Sequence, residues 1–239
     1  MKRRAFLFLA VAVALLAGGC ETLDLEWTAL TAEDYQARGF KYFDRNDYDS
    51  AIAEFTKAIN LDPDFALAYI DRGHAYYGRS LVYAGKGDWE MYLADKERAV
   101  VDWADGGILL ANQRIQLNPN NAYAYSWRGL AYSDKKEYDR AFADFEHAIQ
   151  LDPNNSNTYY FRGVANYNKK DYDSAIADFS KAIRIDPNNF YCYSRQADVY
   201  YKQGDYDNAI ANFEAMLLIK PNDILTKHWL ENARQMKER

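Results

Sequence analysis

Residues 122–155 read AYAYSWRGLAYSDKKEYDRAFADFEHAIQLDPNN, and the same pattern returns, with few departures, every 34 residues. Further copies begin at Ser156 and Phe190, and residues 32–65 fit the same frame. In the quoted copy, the positions that recur are Tyr125, Arg128, Gly129, Tyr132, Tyr138, Ala141, Phe145, Ala148 and Pro153. A fixed period of about 20 to 50 residues indicates a repeat protein, in which each unit stacks on its neighbours.

Each copy contains two apolar series with helical spacing. In the quoted copy, the first passes through Gly129 and the second through Ala141 and Phe145. The polar residues 134–137 between the two series are too few for anything but an antiparallel turn. Pro153 ends the second helix, because proline cannot continue the helical hydrogen bonds. We therefore predict that each unit is an antiparallel helix pair, with Gly129 facing Ala141 to allow close approach.

The recurring Gly, Ala, Phe and Pro positions resemble the tetratricopeptide repeat family over about 200 residues. The resemblance implies an all-α, right-handed superhelical solenoid of antiparallel helix pairs, whose first helices line a concave groove. We expect repeats over residues 32–65, 66–121, 122–155, 156–189 and 190–223. Residues 224–239 are expected to form a C-terminal capping helix, with Leu225, Trp229 and Leu230 on its covering face.

An arginine occupies a place in the first helix where the family usually has leucine. The antiparallel arrangement sets an acidic residue of the second helix opposite it, whereas the last unit has two neutral residues at these places. The pairs are Arg38 with Glu54, Arg128 with Asp144 and Arg162 with Asp178, and the neutral equivalents are Gln196 and Asn212. The joint change favours an ion pair inside each hairpin over coincidence.

The second unit is irregular, because its closing Pro119 arrives 22 residues late. In one interpretation, residues 89–103 are the second helix, Arg72 pairs with Asp95, and residues 108–117 are an inserted helix. In the other, residues 108–117 are the second helix. We favour the first, since only it gives Arg72 an acidic partner. We expect the glycines of this region to break its helices and residues 85–118 to be a site of self-association or partner contact. These glycines are Gly85, Gly87, Gly106 and Gly107.

The N-terminus has the form of a secretory signal peptide, predicted over residues 1–19. Basic residues 2–4 precede an apolar run over residues 5–17, which is too short to span a bilayer. The ending LLAGGC resembles the lipobox of bacterial lipoproteins, which implies that Cys20 is acylated and that residues 20–31 tether the scaffold to a membrane. Glu21 follows the cysteine, which favours the periplasmic face of the outer membrane. The alternative is an ordinary signal peptide.

Composition excludes several classes of function. The net charge is −6 and no stretch after the leader is strongly basic, which argues against a nucleic-acid-binding protein. The three histidines lie in different units, so we predict no metal site and no cofactor. No phosphate-binding loop or nucleophile motif is present, and we predict that the chain is not an enzyme. Cys192 lies among apolar residues of a predicted helix, where a buried, inert thiol is expected.

Several of the 21 tyrosines exceed what the hairpins need for packing, and most of the surplus falls on one stripe of the first helices. The resemblance places this stripe in the groove, where aromatic side chains suit peptide recognition; inter-unit packing is the alternative. The predicted partner-binding residues are Phe40, Phe43, Tyr77, Tyr123, Ser126, Leu130, Tyr160, Val164, Tyr167, Tyr191 and Tyr201. The function expected is a membrane-anchored scaffold for protein or peptide segments without an anionic end. The alternative is an accessory ligand-binding subunit of a solute-uptake system.

Overall fold

The computed structural model describes residues 30–238, and in this range the chain forms eleven α-helices and no β-strand. The predicted signal peptide, Cys20 and nearly all of the tether lie outside the described residues. The helices are α1 (Ala32–Phe43), α2 (Tyr48–Leu61), α3 (Ala66–Gly85), α4 (Trp89–Leu117), α5 (Ala122–Asp134), α6 (Tyr138–Leu151), α7 (Ser156–Asn168), α8 (Tyr172–Ile185), α9 (Phe190–Gln203), α10 (Tyr206–Ile219) and α11 (Ile224–Lys237).

The first ten helices form five antiparallel hairpins, and each hairpin packs on the next. Turns of two to four residues join the two helices of a hairpin, and each turn contains one residue with positive φ. In four of the five hairpins, an aspartate side chain then caps the second helix by accepting from a backbone amide. The predicted all-α solenoid of antiparallel helix pairs is confirmed.

A glycine in the first helix lets the two helices of a regular hairpin approach closely. A Cβ atom at Gly129 would lie 2.8 Å from Phe145 Cε1 and 3.0 Å from the carbonyl oxygen of Ala141. Phe145 is fully buried, as is Phe179 against Gly163 in the next hairpin. The predicted contact between Gly129 and Ala141 is therefore confirmed, and the phenylalanine fills the space that the glycine leaves.

The second hairpin has the same design but is much longer. Helix α3 has 20 residues and α4 has 29, whereas α5 and α6 have 13 and 14. The excess of 7 and 15 residues accounts for all 22 inserted residues. Both interpretations of this region separate residues 89–103 from residues 108–117. Both are wrong on this point, because residues 89–117 form one continuous helix.

The glycine pair in α4 is not a helix break. A Cβ atom at Gly106 would lie 2.8 Å from the carbonyl oxygen of Ala66 and 2.6 Å from Ile70 Cγ1, so the glycine allows α3 and α4 to touch. Gly107 differs, because a Cβ atom there would lie 3.6 Å from Ala131 Cβ of α5, which is an ordinary contact distance. The prediction of a break is correct only at the turn, where α3 ends at Gly85 and Gly87 has a φ of 77°.

The two halves of α4 perform different tasks. The N-terminal half packs along α3, whereas the C-terminal half supports α5. There Lys135 Nζ lies 2.6 Å from Asp105 Oδ1, and Arg128 donates to Asn112 Oδ1 at 2.8 Å. The first interpretation is therefore right about which residues pair with α3. Residues 108–117, the second helix of the other interpretation, belong to the same continuous helix and contribute Asn112 to the contact with α5.

Buried arginine–aspartate pairs cross three of the hairpins. Arg128 donates two hydrogen bonds to Asp144, at 2.7 and 2.8 Å, and Arg162 pairs with Asp178 at 2.6 Å, which confirms two predictions. Bidentate bonds of this kind are among the strongest in proteins. In the last hairpin, Gln196 donates to Ser180 instead.

The pairing predicted for Arg38 is wrong. Glu54 accepts a short hydrogen bond from Lys57, three residues further along its own helix, and Arg38 makes no ion pair in the described part of the chain. The guanidinium lies 6.0 Å from the ring of Tyr35. Lys57, on the same helix as Glu54, is therefore the partner of this carboxylate in place of Arg38.

The long hairpin contains the ion pair twice. Arg72 pairs with Asp102, at 2.7 and 2.8 Å, and Arg79 pairs with Asp95, at 2.6 and 2.9 Å. The predicted bond from Arg72 to Asp95 is therefore wrong. The two arginines are 7 residues apart and so are the two aspartates, so the lengthened helices repeat the same contact about two turns further out.

The last helix covers α9 and α10 with a different face from the one predicted. Leu230 and Ala233 are buried against Ala197, Phe213 and Met216. Leu225 and Trp229, in contrast, are exposed, so the predicted covering face is correct only for Leu230.

Two further properties concern the thiol and the membrane. Cys192 is fully buried and free, as predicted, and burial raises the pKa of its thiol to about 12. A thiol with this pKa is almost entirely protonated at neutral pH and therefore a poor nucleophile. None of the helices in the described range combines the length and apolar character needed to cross a bilayer.

Candidate functional site

The first helices of the last two hairpins and α11 are linked by side-chain hydrogen bonds along one stripe. Tyr167 of α7 donates to Asp198 of α9, and Tyr201 of α9 donates to Asn232 of α11, both at 2.5 Å. Burial and Asp198 raise the pKa of Tyr167, so its hydroxyl stays protonated and able to donate. These two bonds therefore hold α7 against α9 and α9 against α11. For Tyr167 and Tyr201, this agrees with the alternative that the surplus tyrosines pack between units.

The predicted partner-binding residues differ widely in accessibility. Phe40, Tyr77, Tyr123 and Tyr191 are exposed, with Tyr191 at 66%. The half-buried members are Phe43, Leu130, Tyr160, Val164, Tyr167 and Tyr201. For these ten residues, a role in partner binding stays a prediction.

Ser126 cannot contact a partner. Its side chain is 1% exposed and bonds to the Thr158 hydroxyl of α7 at 2.7 Å, so it joins two units inside the solenoid. The prediction for Ser126 is wrong, because Thr158 on the neighbouring helix α7 covers its side chain.

Tyr160 has a structural role as well. Its ring lies 6.0 Å from Phe179 and 5.8 Å from Phe161, and it packs against three buried clusters. Removing this side chain would disturb the core as well as any surface it presents.

An open cleft of about 220 Å³ lies between α9 and α11. It is lined by Ser194, Arg195, Asp198, Tyr201, Phe213 and Trp229. The Trp229 ring is exposed and meets Tyr201 edge-on, with 5.9 Å between ring centroids. We call this site the terminal cleft. It offers an aromatic wall with hydroxyl, carboxylate and guanidinium groups beside it.

The sequence prediction omitted Trp229 because α11 lies outside the repeat frame. One signal could have found it. Counting places from Ile224 puts Asn232 where Asp198 stands in α9, so α11 occupies the position of a further first helix. Its stripe would then be expected to continue the groove.

The described residues also bear on metal binding. The three histidines are all exposed. Within residues 30–238, no group of three or more His, Cys, Asp or Glu side chains is arranged to hold a metal ion.

The antiparallel helix pairs, the glycine–phenylalanine contacts inside them and the stacking of each hairpin on the next together define a repeat scaffold. Family models for the tetratricopeptide repeat match residues 122–155, 156–189 and 190–223, and a TPR repeat model matches residues 39–79. These matches together cover more than half of the chain, and the chain belongs to the tetratricopeptide repeat family. Repeats of this family form scaffolds for protein interactions.

Curated relatives match over part of the chain. The TPR repeat-containing protein MJ1428 of Methanocaldococcus jannaschii is 34% identical over 102 residues, which are 43% of this chain and 16% of the relative. Heat shock protein STI1 of Saccharomyces cerevisiae is 28% identical over 123 residues, which are 51% of this chain and 17% of the relative. The chain thus spans about a sixth of the length of these proteins.

A solved structure gives a longer match. The thermophilic TPR protein TTC0263 of Thermus thermophilus aligns with a TM-score of 0.50 and 17% identity, covering 86% of this chain and all of that protein. The likeness supports the fold.

Proposed function

We propose that this chain is a membrane-anchored scaffold of a bacterial cell envelope, which holds a segment of a protein partner in the groove lined by its first helices. The observation that carries the partner-binding part of the proposal is the terminal cleft, where the exposed Trp229 stands beside Tyr201. Tyr191 lies one helical turn from Ser194 on the same stripe of α9. The anchor rests on the sequence LLAGGC at residues 15–20.

The chemistry of this stripe suits an extended or helical peptide. Tyrosine and tryptophan bury a large area on binding at little rotamer entropy and still offer a hydrogen bond. The bonds from Tyr167 to Asp198 and from Tyr201 to Asn232 fix the surface before a partner arrives. A preorganised surface loses less conformational entropy on binding, which favours affinity.

The groove can be tested with peptides selected from a random display library on the purified protein. The double variant Tyr191→Ala, Trp229→Ala should bind the selected peptides at least about tenfold more weakly in fluorescence anisotropy, because exposed aromatic anchors dominate such interfaces. Both side chains are largely outside the core, so the thermal midpoint should change little.

The matched control is the double variant Leu117→Ala, Leu218→Ala. These side chains are 88% and 86% exposed but belong to second helices. It should bind the peptides as the parent does. Equal loss in both variants, or no loss in the aromatic one, would reject the groove assignment.

The anchor is tested separately at Cys20. In cells fed an alkyne-tagged fatty acid, the parent protein should acquire the label and fractionate with membranes. The Cys20→Ala variant should do neither. Cys192 serves as the internal control, since it is fully buried. Label that persists in the variant, or is missing from the parent, would contradict the lipid anchor and leave the groove proposal standing.

A further inference from the structure

The C-terminal half of α4 lacks a covering helix that every regular hairpin provides. In α6, four positions are buried beneath the first helices, namely Ala141, Asp144, Phe145 and Ala148. Their equivalents, 34 residues earlier in α4, are Gly107, Leu110, Ala111 and Arg114. Helix α5 of the next unit covers one side of this half, but α3 begins opposite Gly106 and extends no further along it. Within residues 30–238, the place of a first helix beside residues 107–117 is therefore empty.

The empty place is an open cleft of about 210 Å³. It is lined by these four α4 residues and by Tyr123, Ala124 and Trp127 of α5. We call it the α4–α5 cleft. Its walls are mainly apolar, and the rings of Tyr123 and Trp127 are exposed. Its single charge is Arg114, whose guanidinium has no ion pair or hydrogen bond in the described part of the chain. Such a cleft suits an apolar surface that carries a carboxylate.

The chain itself presents a surface of this kind at the other end of α4. The hairpin tip, residues 81–93, exposes Leu81, Val82, Trp89 and Leu93, with Trp89 at 62% and Leu93 at 61%. Asp88 and Glu90 flank Trp89 and outnumber the single cation, Lys86. Glu90 is exposed and has no ion pair among the described residues. The tip and the α4–α5 cleft are thus complementary in both polarity and charge.

The tip cannot reach the cleft of its own molecule. Trp89 and Arg114 lie on one unbroken helix, 25 residues apart, which corresponds to roughly 37 Å at about 1.5 Å per residue. The two surfaces also differ in composition, so a contact between them joins unlike patches. Contacts of this type are heterologous and extend in one direction unless a ring closes.

We infer that the hairpin tip of one molecule docks into the α4–α5 cleft of a second copy, so that the protein assembles head to tail. The exposed apolar side chains of the tip pack in the place of the missing first helix, and Glu90 or Asp88 meets Arg114. The patches are small, and interfaces below about 1,200 Å² are weak. Assembly therefore requires micromolar concentrations or more in solution.

Sedimentation velocity of the purified protein provides the test. The parent should show an average mass that rises with concentration and passes beyond that of a dimer. The tip variant Trp89→Ser, Leu93→Ser and the cleft variant Leu110→Ser, Arg114→Glu should each remain monomeric. The control Leu117→Ser replaces a leucine of α4 that is 88% exposed and lies outside the cleft, and it should assemble as the parent does. Circular dichroism verifies that each variant is folded.

Mixing the two deficient variants tests the head-to-tail geometry. The tip variant keeps an intact cleft and the cleft variant keeps an intact tip, so an equimolar mixture should form dimers and stop there. Charge exchange tests the register, since Arg114→Glu alone should weaken assembly about tenfold and added Glu90→Arg should restore it. A parent that stays monomeric up to about 1 mM overturns the inference. So does a cleft variant that still assembles, since the tips would then pair with each other.

This assembly does not depend on the terminal cleft, which shares no lining residue with the α4–α5 cleft. The tip and cleft variants leave Tyr191 and Trp229 intact and should capture the selected peptides as the parent does. The aromatic groove variant should in turn assemble normally. Failure of one proposal is therefore distinguishable from failure of the other.

Discussion

Replacing Asp95 by alanine should lower the free energy of unfolding of the long hairpin by about 3 kcal/mol. The carboxylate is 0% exposed and accepts hydrogen bonds from Arg79, at 2.6 and 2.9 Å, and from Arg98, at 2.8 Å. Its removal leaves the mostly buried guanidinium of Arg79 with Asp49 alone, whose own side chain is 78% exposed. A buried charge that loses its partner is among the most destabilising changes a protein can undergo.

Urea unfolding followed by circular dichroism measures the effect as a lower midpoint. Because repeat proteins can unfold unit by unit, hydrogen exchange of α3 and α4 amides should locate the loss in this hairpin. An unchanged midpoint together with unchanged exchange in α3 and α4 would contradict the assigned role of Asp95.

The last hairpin supplies the matched control. It has Gln196 and Asn212 at the places that Arg79 and Asp95 occupy, counted from the turn. The double variant Arg79→Gln, Asp95→Asn carries this natural neutral pair into the long hairpin. It should be within about 1 kcal/mol of the parent, because no unpaired charge stays buried. If the double variant loses as much stability as Asp95→Ala, packing accounts for the loss and the ion pair does not.

The sequence predicts the regular hairpins well because local and tertiary signals agree there. The recurring Gly129 and Phe145 determine how closely the helices approach, and the constant spacing of Arg128 and Asp144 across the turn identifies their bond. In the long hairpin, Arg72 and Arg79 lie on the same stripe, two turns apart. When positions are counted from the start of the unit, Arg72 is the equivalent of Arg128. When they are counted back from the turn, Arg79 is the equivalent. Both arginines form the ion pair. The residues inserted in α3 add about two whole turns, so both arginines lie on the same face of the helix.

The candidate site is less predictable from the sequence. The position of a residue in the repeat indicates which face of the helix it lies on, but not how deeply it is buried. Ser126 and Tyr123 lie on the same stripe of α5, yet Thr158 of the next unit buries the first while the second stays exposed. The α4–α5 cleft is even harder to predict from the sequence. It exists because α3 ends its contact with α4 at Gly106, which helix propensity alone does not indicate.

The neighbouring glycines of α4 should therefore respond in opposite directions to the same substitution. Gly106→Ala should destabilise the protein by about 1–3 kcal/mol, because the new Cβ would lie 2.8 Å from the Ala66 carbonyl oxygen. Relief would require α3 and α4 to separate, since backbone atoms cannot rotate away as a side chain can. Gly107→Ala should instead stabilise by up to about 1 kcal/mol, since its Cβ would meet Ala131 Cβ at 3.6 Å and alanine favours the helix. Thermal and urea midpoints of the two variants decide the matter. If both substitutions stabilise, the close approach at Gly106 is wrong, and the boundary that leaves the α4–α5 cleft open is wrong with it.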